Sequence, residues 1–151
     1  MLDIEVVGAD ALGERVPAPE RVRRLCMLAA ATAGAEDGHL AIEFVDSERI
    51  AELNAAHRNE PGPTDVLSFP IDGADPAAEG VRELGDVVIC AQHTRDLCEA
   101  IVHGVLHLVG MDHELDRGEM LAVQAELLRW EGLPASAVAS DASVAAPPAA
   151  P

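Results

Sequence analysis

The stretch HGVLHLVGMDH, residues 103–113, places three histidines around one glycine. On a helix, His103 and His107 lie one turn apart on the same face, with Cβ atoms about 5–6 Å from each other, so both imidazoles can reach one metal ion. Gly110 can adopt the positive φ that turns a chain out of a helix, and His113 then returns toward the same face. The stretch therefore predicts a helix that ends at a three-histidine metal site.

Zinc is the metal that this donor set favours. Imidazole is its commonest nitrogen ligand, and three protein ligands leave a fourth tetrahedral position open, which is typical of a catalytic rather than a structural zinc site. A lone histidine on an apolar face is more often structural, but half of the six histidines of the chain fall within these eleven residues. We therefore expect one Zn²⁺ per chain, bound by His103, His107 and His113.

The residue after the first histidine separates two classes of zinc hydrolase. The spacing HxxxHxxGxxH equals that of the metzincin zinc helix, HExxHxxGxxH, in which the glutamate acts as general base. This chain has Gly104 at that position. A metallopeptidase would need another base, so a peptidase-like hydrolase remains only an alternative. A further alternative is a non-enzymatic protein with structural zinc, which would need a fourth protein ligand.

Hydrophobic periodicity outward from this helix predicts an α+β fold, in which helices pack on a small mixed sheet of about four strands. The predicted strands are 2–7, 39–45, 64–70 and 86–91. The predicted helices are 17–33, 47–57, 94–109 and 116–132, with Asp46 or Ser47 and then Asp116 as N-caps. Residues 72–83 are expected to form a loop. One domain, residues 1–134, would precede a disordered Ala/Pro-rich tail, residues 135–151.

Composition indicates a soluble protein that stays in the cytoplasm. No apolar run reaches the roughly 20 residues of a membrane span, and the first residues lack the basic and apolar regions of a signal peptide. Cys26, Cys90 and Cys98 include no CxxC pair and are interpreted as buried, reduced thiols. His39 and His93 have no partners at ligand spacing and are interpreted as structural.

The net charge of −17, with all ten basic residues being arginine, argues against a nucleic-acid binder that relies on a broad basic patch. Any contact with phosphate must therefore be local. A zinc ion together with one well-placed arginine would make one cationic spot on an acidic body.

Three blocks of the sequence resemble the YbeY endoribonucleases, bacterial zinc enzymes of ribosomal RNA maturation and ribosome quality control. The blocks are LNAAHRNEPGPTDVLSFP (53–70), LGDVVI (84–89) and HGVLHLVGMDH (103–113), in the order in which the family has them. The likeness covers roughly residues 1–133, although the segment between Ile89 and the histidine helix is shorter than is usual in the family.

The resemblance implies a fold, an activity and a set of site residues. It implies a zincin-like helix whose zinc ligands are His103, His107 and His113, and it adds Arg58 as a functionally required residue. The implied function is cleavage of single-stranded RNA, in particular ribosomal RNA, with the ribosome or ribosome-associated proteins as partners. Without the resemblance, Arg58 would be interpreted as a partner in a surface salt bridge, although its guanidinium could also clamp a phosphate.

Each of four side chains near these blocks could serve either in the functional site or in the local structure. His57 stands where the family commonly has tyrosine, and its ring would either stack on a base or have a structural role. Asp112 would either orient a ligating imidazole or act as a turn carboxylate. Ser68 and Thr64 would either line a groove as hydrogen-bond donors or bond locally at a strand end.

Overall fold

The computed structural model describes residues 2–72, 82–112 and 116–132. His113, most of the predicted loop and all of the predicted tail therefore lie outside the described residues. The strands are β1 (Leu2–Val7), β2 (Gly38–Val45), β3 (Val66–Pro70) and β4 (Glu83–Cys90). The helices are α1 (Pro19–Ala31), α2 (Ser47–Arg58), α3 (Leu97–Leu108) and α4 (Glu119–Gly132), with short 3₁₀ helices at Ala9–Arg15 and Ala91–His93.

The four strands form one mixed sheet in the order β1-β2-β4-β3. β1 pairs with β2 and β2 pairs with β4 in parallel, whereas β3 pairs with β4 antiparallel. β3 is therefore an edge strand within the part of the chain that the structure describes. The prediction of an α+β fold with a small mixed sheet of about four strands is confirmed.

The two faces of the sheet carry different helices. Along β4, Val87 and Ile89 belong to the main core beneath α1, α3 and α4, whereas Val88 and Cys90 belong to a smaller cluster with Ile50 of α2. This alternation follows from the two-residue period of a strand. Burial of each side chain of this size contributes about 1.5–3 kcal/mol to the free energy of folding. The pleat thus places α3 and α2 on opposite faces, and β3 lies between them at the sheet edge.

Aspartate side chains accept hydrogen bonds from first-turn N–H groups of three helices. The Asp46 carboxylate accepts a hydrogen bond from the Arg49 N–H at 2.8 Å, as predicted for α2. α3 begins later than predicted, because Asp96 and not Thr94 is its N-cap. The Thr94 hydroxyl instead donates a hydrogen bond to Cys90 O at 2.6 Å, at the end of the preceding 3₁₀ helix. α4 begins at Glu119, although the Asp116 carboxylate does accept from an N–H of the first turn, at 2.9 Å.

No helix among the described residues is both long enough and apolar enough to cross a bilayer.

Burial differs among the three cysteines. Cys26 and Cys90 are buried and Cys98 is half-buried, and none of them forms a disulfide. Burial raises the pKa of the Cys26 thiol to about 12, which leaves it unreactive at neutral pH. The prediction of buried thiols is right for Cys26 and Cys90. It is wrong for Cys98, which lies in the first turn of α3, at the margin of the main core.

His39, at the start of β2, is ion-paired with acidic neighbours. Its Nδ1 lies 2.8 Å from both carboxylate oxygens of Glu83, and its Nε2 lies 3.4 Å from the carboxylate of Glu5. The hydrogen bond to Glu83, together with the negative charges nearby, raises the pKa of His39 against the opposing effect of desolvation. Protonated His39 therefore links the first residues of β2 and β4.

We expect this pair to make stability depend on pH in a known direction. Because the folded-state pKa of His39 is raised, its contribution is complete below the unfolded-state pKa of about 6.5 and is lost as the pH rises through the folded-state value. Wild type should exceed a His39→Gln variant in free energy of unfolding by a few tenths to about 1 kcal/mol at about pH 6, and by less at about pH 9. Urea unfolding at both pH values measures this, and a pH-independent difference would contradict it.

Candidate functional site

α3 buries one face and turns its histidines toward a cleft. Val105 and Leu106 are fully buried in the main core, whereas His103 and His107 are half-buried. The two imidazole rings have centroids 4.8 Å apart and an interplanar angle of 73°. The structure thus brings two of the predicted ligands together on one side of the helix, as their four-residue spacing predicts.

The predicted turn after this helix is also present. Gly110 has φ of 100°, and the Met111 N–H returns to Leu106 O at 3.0 Å, which closes the end of the helix. The third predicted ligand, His113, lies outside the described residues. Within the described ranges, no group of three or more His, Cys, Asp or Glu side chains is arranged to hold a metal ion. The three-histidine site therefore stays a prediction, with two of its members adjacent.

The two histidines line a cleft of about 780 Å³ at the edge of the sheet. The edge strand β3 forms one wall, and the C-terminal end of α2 forms another. The cleft is lined by residues 65–70 together with His57, Arg58, His103, His107 and Asp112. Segments that are distant in sequence, one on each face of the sheet and one at its edge, thus contribute to the same cavity.

Arg58 reaches the cleft from the last residue of α2. Its side chain is 45% exposed, and its Nη2 lies 3.8 Å from the Glu60 carboxylate. An exposed ion pair at that distance contributes at most about 1 kcal/mol to the stability of the fold. The guanidinium therefore remains able to bind an incoming anion. Both predicted interpretations of Arg58 are thus visible, since it contacts an acidic neighbour and lines the same cleft as the histidines.

Asn54 holds the turn that follows Arg58. Its buried side-chain amide donates to Gly62 O at 2.9 Å, and its backbone carbonyl accepts from the N–H of Asn59, which adopts a left-handed φ of 57°. This role of Asn54 was not predictable, because an asparagine within a helix gives no local signal of a contact eight positions ahead.

The four side chains with two interpretations differ in outcome. The ring of His57 lies edge-on to Phe69, with centroids 4.9 Å apart, and lines the cleft. Asp112 lines the cleft, and so does Ser68, whose hydroxyl donates to a backbone carbonyl of α3 at 2.8 Å. Thr64 bonds locally, with its hydroxyl 3.2 Å from the Asp65 carboxylate.

Gly104 lies where α3 approaches the sheet most closely. A Cβ at this position would lie 2.3 Å from Cγ1 of Val87, a side chain that is fully buried. The carbonyl of Gly104 accepts the hydrogen bond from Ser68 of β3 at 2.8 Å. A side chain at position 104 would force Val87 to shift, so the glutamate that serves peptidases as general base is disfavoured here.

We expect Gly104→Ala to destabilise the protein by about 1–3 kcal/mol, the usual cost of overpacking a core, despite the higher helix propensity of alanine. The loss should exceed that gain because the contact is with a β-branched methyl group in a buried strand. Urea unfolding measures it. A second substitution, Val87→Ala, should recover part of the loss in the double variant. Equal stability of Gly104→Ala and wild type would show that the two elements can separate without cost.

His103 has a buried partner on α4 that sequence reasoning also missed. Its Nδ1 lies 2.8 Å from the Oε1 atom of Gln124, whose side chain is buried. Ligating histidines typically bond their second ring nitrogen to a carbonyl, carboxylate or water. Two adjacent imidazoles, one of them bonded in this way, fit the donor chemistry of a zinc site. The described part of the site therefore suits the metal that the sequence predicts.

The fold and the cleft define an α+β protein that places paired helix imidazoles and a guanidinium along the antiparallel edge strand of a mixed sheet. The family model described as Endoribonuclease YbeY matches residues 17–130, and the chain belongs to this family.

Curated relatives and a solved structure agree with this membership. The chain is 40% identical over 131 residues to Endoribonuclease YbeY of Rubrobacter xylanophilus, an alignment that covers 83% of this chain and 93% of the relative. It is 34% identical to Endoribonuclease YbeY of Macrococcus caseolyticus, covering 88% and 97% of the two chains. The solution structure of a Thermotoga maritima protein is similar, with a TM-score of 0.50 and 26% identity over 83% of this chain and 87% of that one.

Proposed function

We propose that this protein is a zinc-dependent endoribonuclease that cleaves single-stranded RNA in ribosomal RNA maturation and ribosome quality control. Membership of the endoribonuclease YbeY family supports the RNA-cleaving activity. The observation that carries the proposal is the convergence of His103, His107 and Arg58 on one cleft at the sheet edge. Imidazoles that can hold a metal and a guanidinium that can bind a phosphate are groups suited to hydrolysis of a phosphodiester.

His103, His107 and His113 would hold the zinc ion. When bound, zinc supplies Lewis acidity to a phosphoryl oxygen. The paired rings of His103 and His107 are adjacent without distortion of α3, so the chain would need to bring only His113 to the same point. The turn at Gly110, with its positive φ, favours that return.

Arg58 would bind the scissile phosphate. Its planar guanidinium can donate two parallel hydrogen bonds to phosphate oxygens, and it can offset the charge that develops on phosphorus as the bond breaks. Arg58 lines the cleft and immediately precedes the turn that Asn54 holds. The exposed ring of His57, supported by Phe69, offers a face on which an unpaired base can stack, which favours single-stranded over paired substrate.

The acidity of the protein makes a local mode of binding necessary. With a net charge of −17, bulk attraction to RNA is unfavourable, and Asp65 and Asp112 add negative charge to the cleft walls. Affinity must then come from the metal and Arg58. We propose that the ribosome or ribosome-associated proteins in the cytoplasm present the RNA, which would relieve the need for long-range attraction.

The two alternatives make different demands on the site. A metallopeptidase needs a base beside the first ligand, and a side chain at position 104 would have to displace the buried Val87. A non-enzymatic assembly factor with structural zinc needs a fourth protein ligand. Among the described residues, neither a third nor a fourth ligand is grouped with His103 and His107, so a cleavage assay has to separate the two sites.

A cleavage assay separates these functions. The zinc-loaded protein should cut a single-stranded ribosomal RNA fragment, should cut the same fragment much more slowly when it is annealed to its complement, and should leave an unstructured protein intact. Equal cleavage of both RNA forms would contradict the strand preference. Cleavage of the protein substrate alone would support the peptidase alternative, and no cleavage of any substrate would favour the assembly factor.

A further inference from the structure

Gln124 of α4 is a buried polar residue between the main core and a cavity of about 320 Å³, which it lines together with His103, Asp96 and Glu99. Its side chain is 7% exposed, and Val123 and Leu127 of the same helix belong to the main hydrophobic core. Burying an amide without a partner costs about 1–3 kcal/mol of folding free energy. The contact that repays this cost is the one between Oε1 of Gln124 and Nδ1 of His103, at 2.8 Å.

The chemistry of this contact determines where the proton of His103 lies. An amide oxygen can only accept a hydrogen bond, so with Oε1 facing the ring the contact is a hydrogen bond only when Nδ1 carries the proton. The lone pair then lies on Nε2, on the opposite edge of the imidazole. Because the partner is on a different helix, the bond also fixes the rotation of the ring about its side-chain torsions.

We propose that Gln124 is a positioning residue that keeps His103 in the Nδ1–H tautomer and presents Nε2 to the metal. This inference rests on the proposed zinc function and adds a residue that neither the motif nor the family likeness identifies. The neutral amide also has an advantage over a carboxylate at this place. It sets the tautomer without a further negative charge beside a cleft that already contains Asp65 and Asp112 and that must admit phosphate.

Three variants separate positioning from packing. Gln124→Met keeps the volume and removes the acceptor, whereas Gln124→Glu keeps an acceptor at the same reach. Val123→Ala removes buried apolar volume from the adjacent position of α4 and leaves the amide in place. The melting temperature of each metal-free variant reports how much stability is lost.

Zinc affinity, measured by competition with a chromogenic chelator, is the first readout. Gln124→Met should bind zinc about 10- to 100-fold more weakly than wild type, the usual range for loss of such a partner, while Gln124→Glu should stay near wild type. Val123→Ala should lower the melting temperature and leave the affinity within about twofold. Wild-type affinity in Gln124→Met would overturn the proposal, and so would an equal loss of affinity in Val123→Ala.

The tautomer is the second readout, and it needs neither zinc nor RNA. Long-range proton–nitrogen NMR spectra of the metal-free protein at about pH 8.5 should show His103 protonated at Nδ1 in wild type and in Gln124→Glu, with Nδ1 protonation reduced in Gln124→Met. A wild-type His103 protonated at Nε2 would overturn the proposal even if Gln124→Met does not fold. Failure of the nuclease function would instead appear as zinc binding that depends on Gln124 without RNA cleavage.

Discussion

Replacing His103, His107 or His113 by alanine is expected to reduce zinc from about one ion per chain to a small fraction, and to abolish RNA cleavage. Two imidazoles rarely retain zinc in competition with a chelator, so each ligand is required. The zinc-dependent part of the stability should vanish as well, because a ligand bound only by the native state at 100 times its dissociation constant adds about 2.7 kcal/mol. Elemental analysis, thermal unfolding with and without chelator, and the cleavage rate measure these effects.

His93 provides a matched control for this experiment. Its Nε2 lies 2.9 Å from the Ser47 hydroxyl, and it does not line the cleft. His93→Ala should therefore keep its zinc and its cleavage rate. Of the three ligand variants, His113→Ala is the most informative, since its residue was assigned from spacing and family likeness alone. Stoichiometric zinc retained in all three would refute the site.

Replacing Arg58 by alanine is expected to lower the cleavage rate about 100-fold or more while leaving zinc content and stability unchanged. A single electrostatic donor to the transition state typically contributes on this scale. Because the only ion pair shown for Arg58 is a long, exposed contact of 3.8 Å to Glu60 among the described residues, its loss should have little effect on the fold. The single-turnover rate on a short single-stranded RNA, with zinc checked in each variant, measures the effect.

Two further variants show how Arg58 acts. Arg58→Lys should recover only part of the rate, because an ammonium keeps the charge but cannot make the planar two-point contact with phosphate. Arg49→Ala, on the same helix, removes a more exposed arginine that pairs with Glu52 at 3.2 Å and does not line the cleft, so it should cleave like wild type. Full rescue by lysine, or an equal loss in Arg49→Ala, would indicate long-range attraction instead.

Local sequence patterns were sufficient for much of the fold. The alternation in residues 2–7 predicted β1 with its observed bounds, and the Asp46 cap marked the start of α2. These features depend on neighbours in sequence, so a single sequence reveals them. The positive φ at Gly110 was predictable for the same reason, since it serves the end of a helix.

Features that depend on distant residues were not predictable. The 3₁₀ helix Ala9–Arg15 was missed, and in the structure the Arg15 guanidinium donates to Ala91 O at 2.8 Å, across 76 positions. The sequence showed that Gly104 replaces a glutamate. Only the packing of α3 on β4 shows that a side chain at position 104 would meet Val87.

In the candidate site, too, local features were predictable from the sequence and features that depend on distant residues were not. The adjacency of His103 and His107 follows from helix geometry, which spacing alone encodes. The convergence of Arg58 on those histidines depends on a sheet that places α2 and α3 on opposite faces beside the same edge strand. Family likeness indicated Arg58, whereas Gln124, whose role depends on the packing of α4 against α3, had no sequence signal.

The central claim is tested most directly by titrating zinc into the metal-free protein. At each step, the single-turnover rate of cleavage of a single-stranded ribosomal RNA fragment is recorded. If one zinc ion held by three histidines supports the reaction, the rate should rise in proportion to added zinc up to one equivalent per chain and then remain constant. A rate that is unchanged between chelated and zinc-loaded protein would contradict the account.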